Sequence, residues 1–319
     1  MKCVFFGSPD FALGSLEALL ASKHEVVGVV TQPDRPAGRG LKLEPPAVKK
    51  HVLPLGIPLH QPEKVNSADT FAFLESLHPD ILVVVAYGGF LGSKLLTFCR
   101  LPPVNVHPSM LPDLRGAAPV QWALLNGYRK TGITTQFMAK EMDAGDVLLQ
   151  EEFPVSESDN AKNLLERFGI EGGRLLVRTL DGLEAGTLKH RPQNAAQATF
   201  APLLTKEHGL LKFSESNAWT IHNQVRGLFP WPGAYAYVNK KRVKILRSAM
   251  ARGEPHLGAP GAFWFKNERM FVACGEGVVE ILELQPEGKR AMLPREFESG
   301  MKATPSHAHF ETTGETTGE

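Results

Sequence analysis

Asp80 is followed by Ile81-Leu82-Val83-Val84-Val85-Ala86, six apolar residues, mostly β-branched, with no polar alternation. A strand of that kind hides both of its faces, which happens almost only in parallel sheets covered by helices on each side. The surrounding chain carries the matching units. Cys3 to Phe6 form a shorter apolar run ending at Gly7, and Ser8-Pro9-Asp10 reads as a helix start, with Ser8 as cap and Pro9 in the first turn. Phe11, Leu13, Leu16, Leu19 and Leu20 recur at helical spacing, and Val26 to Val30 read as the next strand. Pro103 to His107, Ile133 to Met138 and Val147 to Val155 are further strands, Ala117 to Asn126 a helix, and Asn160 to Ala185 a long amphipathic helix. Such alternation predicts an α/β unit, an open, mostly parallel, Rossmann-like sheet over residues 1–189.

The pattern changes at 190–208, where Arg191-Pro192-Gln193-Asn194-Ala195-Ala196-Gln197 has no apolar period and reads as a linker. Beyond it, Ala234–Val238, Val243–Leu246, Gly261–Phe265, Met270–Ala273 and Val278–Leu284 are short runs punctuated by Gly or Pro. They predict a small antiparallel β-barrel, OB-like, over 209–302. The end of the chain, 303–319, closes on a Thr-Thr-Gly-Glu repeat without core-forming residues and is expected to be disordered.

Composition narrows the function classes. Of 319 residues, 43% are hydrophobic and 22% charged, and 35 Lys or Arg against 34 Asp or Glu leave +1, so the chain has no overall basic coat. No run approaches the ~20 apolar residues that span a bilayer, and the N-terminal apolar run is too short for a signal peptide. Cys3, Cys99 and Cys274 are scattered, which fits free thiols in a reducing compartment. A cytoplasmic protein with no membrane partner is expected. Gly7 and Gly14 lack the spacing of a dinucleotide fingerprint, which argues against a nicotinamide cofactor.

Asn105 and His107 are two apart on a strand and share a side, at the carboxyl end where open parallel sheets place their ligand crevices. An amide and an imidazole aimed at one point can stabilise an oxyanion; either residue alone reads equally as a satisfied core His or a turn Asn. Asp143, on the Gly-containing turn Met142 to Asp146, can reach His107 and fix its ring. Residues 33–46 hold too many breakers for a regular element and carry Arg35, Arg39 and Lys42, which suits a solvated connection or a functional loop. Residues 209–302 hold 14 Lys or Arg against 9 Asp or Glu, hence +5. Lys240, Lys241, Arg242, Lys244, Arg247 and Arg252 form a run that is either a solvated face or a phosphate-tracking patch.

These pieces together resemble the methionyl-tRNA formyltransferase family over nearly the whole chain. The likeness rests on Gly7 to Phe11, the Gln32-Pro33-Asp34-Arg35-Pro36-Ala37-Gly38-Arg39-Gly40 loop, Val83 to Gly88, and Asn105-Val106-His107-Pro108-Ser109-Met110-Leu111-Pro112. It continues in Arg115 to Pro119, Met142 to Asp146 and Pro230 to Tyr235. The resemblance implies a transferase in translation initiation. It would move the formyl group of 10-formyltetrahydrofolate to the α-amine of methionine on initiator methionyl-tRNA, with no metal and as a monomer. It implies Asn105, His107 and Asp143 as the catalytic trio and Ser109, Met110, Leu111 and Pro112 as the folate-binding signature. Arg39, with Arg35 and Lys42, would meet the tRNA acceptor end, and Lys240, Lys241, Arg242, Lys244 and Arg247 its backbone. Gly88 to Gly92 and Leu211 to Ser214 depart from the family pattern. The rivals are a formyltransferase acting on an amino-sugar nucleotide or glycinamide ribonucleotide, and a non-catalytic RNA-binding protein on the same scaffold.

Overall fold

The first five residues of the apolar run after Asp80, Ile81 to Val85, lie inside a sheet whose neighbours leave none of them exposed. In the computed structural model, which describes residues 1–37, 42–301 and 309–311, the strands of the first part are β1 (Lys2–Gly7), β2 (Glu25–Val30), β3 (Arg35–Ala37), β4 (Lys42–Glu44), β5 (Leu59–His60), β6 (Ile81–Val85), β7 (Val104–His107), β8 (Lys130–Phe137) and β9 (Val147–Pro154). Seven of them form one sheet in the order β5-β2-β1-β6-β7-β8-β9. Pairing is parallel from β5 through β7, and β7–β8 is antiparallel. Every residue of β6 is buried, as its unbroken apolar run requires.

Helices α1 (Phe11–Leu20), α2 (Ala47–Val52), α3 (Ala68–Leu77), α4 (Ser93–Leu96) and α6 (Ala161–Glu184) accompany the strands, and α5 (Pro119–Leu125) falls almost wholly in a second unit. Gly14 has a packing reason rather than a cofactor one. A Cβ there would stand 2.4 Å from the Gly169 carbonyl, so α1 and α6 meet backbone to backbone. Ser8 does not cap α1. Its hydroxyl accepts from the Gln32 N–H at 3.0 Å and donates to the Tyr87 carbonyl at 3.3 Å, tying together segments that follow β2 and β6, while the helix starts after Asp10. The stretch 33–46, read as lacking regular structure, contains the two-stranded hairpin β3–β4. Asp34 below it is held by Lys49 and Gln61, so side chains from outside the stretch support what its own breakers would not.

Contacts divide the chain into two compact units: residues 1–119, 131–153 and 165–201, and residues 120–130, 154–164 and 202–319. The chain therefore passes between units more often than a division into 1–189, 190–208 and 209–302 allows. Nor is 190–208 a bare connection: Arg191 exchanges backbone hydrogen bonds with Val147, and Arg115 bonds to Thr199 and Ala201.

The second unit contains α7 (Ala218–Gly227), α8 (Pro294–Gly300) and an antiparallel sheet. Its strands β10 (Ala234–Val238), β11 (Lys241–Met250), β12 (Phe263–Lys266), β13 (Arg269–Ala273) and β14 (Val278–Pro286) run in the order β10-β11-β14-β13-β12. Asn239 and Lys240 both have positive φ in the two-residue turn between β10 and β11, the backbone a tight hairpin demands. Of the end 303–319, read as disordered, only 309–311 are among the described residues, and these three are ordered. His309 bridges to Ala262 before β12 and Glu311 to Tyr237 of β10, so this segment joins both edges of the sheet. Phe310 between them is buried and stacks on Phe213 at 5.4 Å. Burying one such ring contributes about 1.5–3 kcal/mol, enough to hold a clasp of three residues.

Among the described residues no helix is long and apolar enough to cross a membrane. All three cysteines are free, and burial pushes the Cys3 and Cys274 thiols up to about 12 and Cys99 up to about 11. Only the thiolate is alkylated, and these groups hold their protons until well above neutral pH. Iodoacetamide at pH 8 is expected to leave all three unmodified in the folded protein and to modify all three in denaturant, which mass spectrometry reads directly.

Candidate active site

Strand β7 ends beside β6, and the register sets Asn105 between Val84 on one side and Gln136 of β8 on the other. Asn105 is partly exposed, and among the described residues its side-chain amide has no hydrogen-bond partner, so its N–H groups are available. His107, two residues on, is buried. Its Nε2 lies 3.0 Å from the Leu114 carbonyl, which can only accept, so that nitrogen carries the hydrogen. Its Nδ1 faces Asp143 Oδ1 at 3.6 Å. The ring is thus fixed from behind by backbone, with one edge turned to a carboxylate. Leu114 delivers that carbonyl from the left-handed region, with φ +58.

Asp143 is placed with equal care. Its Oδ2 accepts the Gly116 N–H at 2.8 Å and its Oδ1 accepts Gln136 Nε2 at 3.1 Å. Gly116 has φ +123, and a Cβ on it would stand 2.6 Å from the Ala201 carbonyl, so only glycine brings that N–H to the carboxylate. Asp143 itself has φ +52, rare for a residue with a side chain and tolerated where the surroundings hold it.

Residues 109–112 form the turn after β7. Thr134 Oγ1 donates to the Ser109 carbonyl at 2.7 Å and accepts the Leu111 N–H at 3.1 Å, which stitches the turn to β8. Ser109 and Leu111 are buried, the Ser109 hydroxyl being spent on the Asp113 carbonyl. Met110 and Pro112 stay partly exposed and are the members of this signature with surface to offer. The segment after β6 passes through Gly88 and is anchored by Asn66, which bonds to the Phe90 carbonyl and the Gly92 N–H.

Of the basic residues, Arg35 is exposed and paired with Glu63 at 3.0 Å, Lys42 is exposed, and Arg39 lies outside the described residues. Lys240 sits in the β10–β11 turn. Lys241, Arg242 and Arg247 are exposed along β11 and Lys244 is half-buried, with Arg242 also 5.7 Å from the Tyr235 ring centroid. Arg252 is not available in the same way, since it pairs with Glu157 at 2.6 Å.

Motif reading passed over the groups behind the trio. Gln136 is buried on β8 beside Thr134 and Thr135, three polar residues in a buried strand, and that pattern was the available signal. Gln193 left no signal, because it stands in a polar stretch that reads as a connection.

Residues 1–180 match the formyl transferase family and residues 203–302 match the formyl transferase C-terminal domain. The chain is 41% identical over 299 residues to the methionyl-tRNA formyltransferase of Thermodesulfovibrio yellowstonii, covering 94% of this chain and 96% of that one. Among solved structures, it resembles HypX from Aquifex aeolicus in complex with tetrahydrofolic acid, with TM-score 0.64 and 20% identity, covering 94% of this chain but 47% of the longer HypX chain. It also resembles the sugar 3N-formyl transferase WlaRD, with TM-score 0.67 and 17% identity over 91% of this chain and 99% of that one. At those identities the two structures bear on the fold alone. The two domain matches together with a full-length relative at 41% identity place the chain in the formyltransferase family.

Proposed function

We propose that the chain transfers the formyl group of 10-formyltetrahydrofolate to the α-amino group of methionine on initiator methionyl-tRNA, in the cytoplasm. The observation that carries this reading is the junction of a free Asn105 amide with a His107 ring clamped between the Leu114 carbonyl and Asp143. The names of the full-length relatives support the acceptor. The presence of tetrahydrofolic acid or a formyl derivative of it in two structures of like fold supports the donor.

The neutral α-amine attacks the formyl carbon and the carbonyl oxygen becomes an oxyanion; its collapse breaks the bond to N10, which leaves as tetrahydrofolate and takes up the proton that the amine loses. Asn105 donates to that oxygen, and the charge of a protonated His107 stabilises it. Asp143 keeps the imidazole oriented and assists removal of the amine's proton. Donors set in advance cost no reorganisation when the charge appears. Esterification lowers the basicity of the α-amine, so a useful fraction is unprotonated near neutral pH. Ser109 to Pro112 would hold the folate, with Met110 and Pro112 supplying the exposed surface. Arg35, Arg39 and Lys42 would meet the acceptor end, and the β10–β11 basic residues the phosphates.

The deciding experiment is formylation of charged initiator tRNA against charged elongator methionine tRNA, with 10-formyltetrahydrofolate present. Transfer to an amino-sugar nucleotide or glycinamide ribonucleotide but to neither tRNA would overturn the reading. The basic strand has its own expected result. The double reversal Lys241→Glu/Arg242→Glu should weaken tRNA binding and flatten the dependence of log affinity on log salt by about two phosphate contacts. Turnover at saturating tRNA should hardly change, because such contacts act equally in ground and transition states. An unchanged slope returns Lys241 and Arg242 to an ordinary solvated face.

A further inference from the structure

Behind the Asp143 carboxylate lies a chain of side-chain amides that the trio alone does not explain. Arg115 is buried, and its Nε and Nη2 both donate to Gln193 Oε1, at 3.1 and 2.7 Å. A guanidinium can only donate, so the Gln193 amide is forced to present its NH2 the other way. That NH2 meets the Asp143 carbonyl at 2.8 Å, the Gly145 carbonyl at 2.7 Å and, more weakly, Gln136 Oε1 at 3.2 Å. Gln136 is oriented in turn: its oxygen faces Gln193 and its Nε2 donates to Asp143 Oδ1 at 3.1 Å. All the hydrogen bonds therefore point the same way, from a fixed cation through two amides to the carboxylate beside His107.

Two features make this more than packing. Arg115 forms no ion pair among the described residues, so a permanently charged group is buried against a neutral amide. Such a group is costly to bury unless its donors are met, which ties the orientation of Gln193 to the fold itself. The loop it holds also has the left-handed Asp143, whose backbone would otherwise relax. Hydrogen bonds aligned in one direction polarise each other and strengthen the last, here onto the anionic form of Asp143.

We propose that Gln193, locked by Arg115, is a positioning residue of the formyl-transfer site: it holds the Asp143–Gly145 loop and the Gln136 amide in the arrangement that presents the Asp143 carboxylate to His107. This rests on the reading that His107 and Asp143 carry the transfer. Gln193 touches neither ring nor carboxylate and acts through others.

Gln193→Glu separates positioning from simple satisfaction of Arg115. The new carboxylate still accepts from the guanidinium, so a residue needed only to satisfy that charge would be replaced without loss. Its oxygens cannot donate to Asp143, Gly145 or Gln136. The expected result is a fall in kcat of about tenfold to a hundredfold, the scale seen when a partner orienting an active-site ligand is removed. KM for charged tRNA and for 10-formyltetrahydrofolate should stay within about twofold. Should Gln193→Glu not fold, Arg115→Met/Gln193→Met removes charge and amide together, so that no buried guanidinium is left unmet while the Asp143 and Gly145 carbonyls lose their donor. The same split is expected from it. A kcat within twofold of wild type in a folded variant, or a loss confined to KM, overturns the proposal. His107→Ala is measured alongside. Full activity there sinks the catalytic reading itself, whereas an inactive His107→Ala beside an unimpaired Gln193→Glu removes only the role of Gln193.

Discussion

Replacing Asn105 or His107 by alanine is expected to lower turnover about 10²–10³-fold, the cost typical of one lost oxyanion donor. The geometry explains why neither loss can be made good locally. Asn105 is partly exposed at the strand end, and its neighbour across the ladder, Gln136, is already committed to Asp143 and Gln193. His107 is fixed by the Leu114 carbonyl on one nitrogen and faces Asp143 on the other, a placement that alanine cannot reproduce. The double variant should lose much less than the product of the single losses, because groups acting on one oxygen act as a unit. Single-turnover formylation with both substrates saturating measures the chemical step, and circular dichroism checks the fold. Near-wild-type turnover in both folded single variants would falsify the trio as catalytic machinery.

Arg39→Ala is expected to lower kcat/KM for charged initiator tRNA by about 30-fold to 5 × 10³-fold. That corresponds to the 2–5 kcal/mol cost of truncating one partner of a hydrogen-bonded charge contact. Arg39 itself lies outside the described residues, and the expectation comes from its place in the loop motif. The flanks are described: β3 pairs with β4 with Ala37 opposite Lys42, and Asp34 is held by Lys49 at 2.8 Å and by Gln61. Anchored ends limit how far a substitution between them can disturb the trio, which sits on β7 and the 143 loop. Folate affinity should therefore hold. Arg39→Lys should restore activity only in part, because it returns the charge without the planar fork. Full tRNA activity in Arg39→Ala would make the loop a connection and reopen the amino-sugar or glycinamide acceptor. Collapse of folate binding would show instead that the loop organises the active site.

Much of the candidate site is legible in the order of residues alone. Strands β6 and β7 announce themselves by an apolar run and by Asn105-x-His107, because burial on both faces of a parallel sheet tolerates nothing else. Helix α7 does not announce itself. Half of its ten residues are polar, with His222, Asn223 and Arg226 buried among them, and its N-cap by Asn217, which accepts the Thr220 N–H at 2.8 Å, is too common a local pattern to stand out. Ser8 misleads for a related reason. A serine before a helix usually caps it, yet here two segments distant in the chain compete for its hydroxyl.

Local chemistry written into the order of residues determined the parallel sheet and the antiparallel second part, and marked Asn105, His107 and Asp143 as candidates. Each depends on periodicity, turn residues or a motif within a few positions. Tertiary structure alone decided which nitrogen of His107 carries its hydrogen, that His309 and Glu311 join both edges of a sheet, and that Gln193 stands behind Asp143. The last two turn on partners dozens of residues away, and the first on a carbonyl seven residues on that only the folded turn brings to the ring. A polar side chain in a stretch without periodicity looks the same whether it meets water or a buried guanidinium, and only the folded chain distinguishes them.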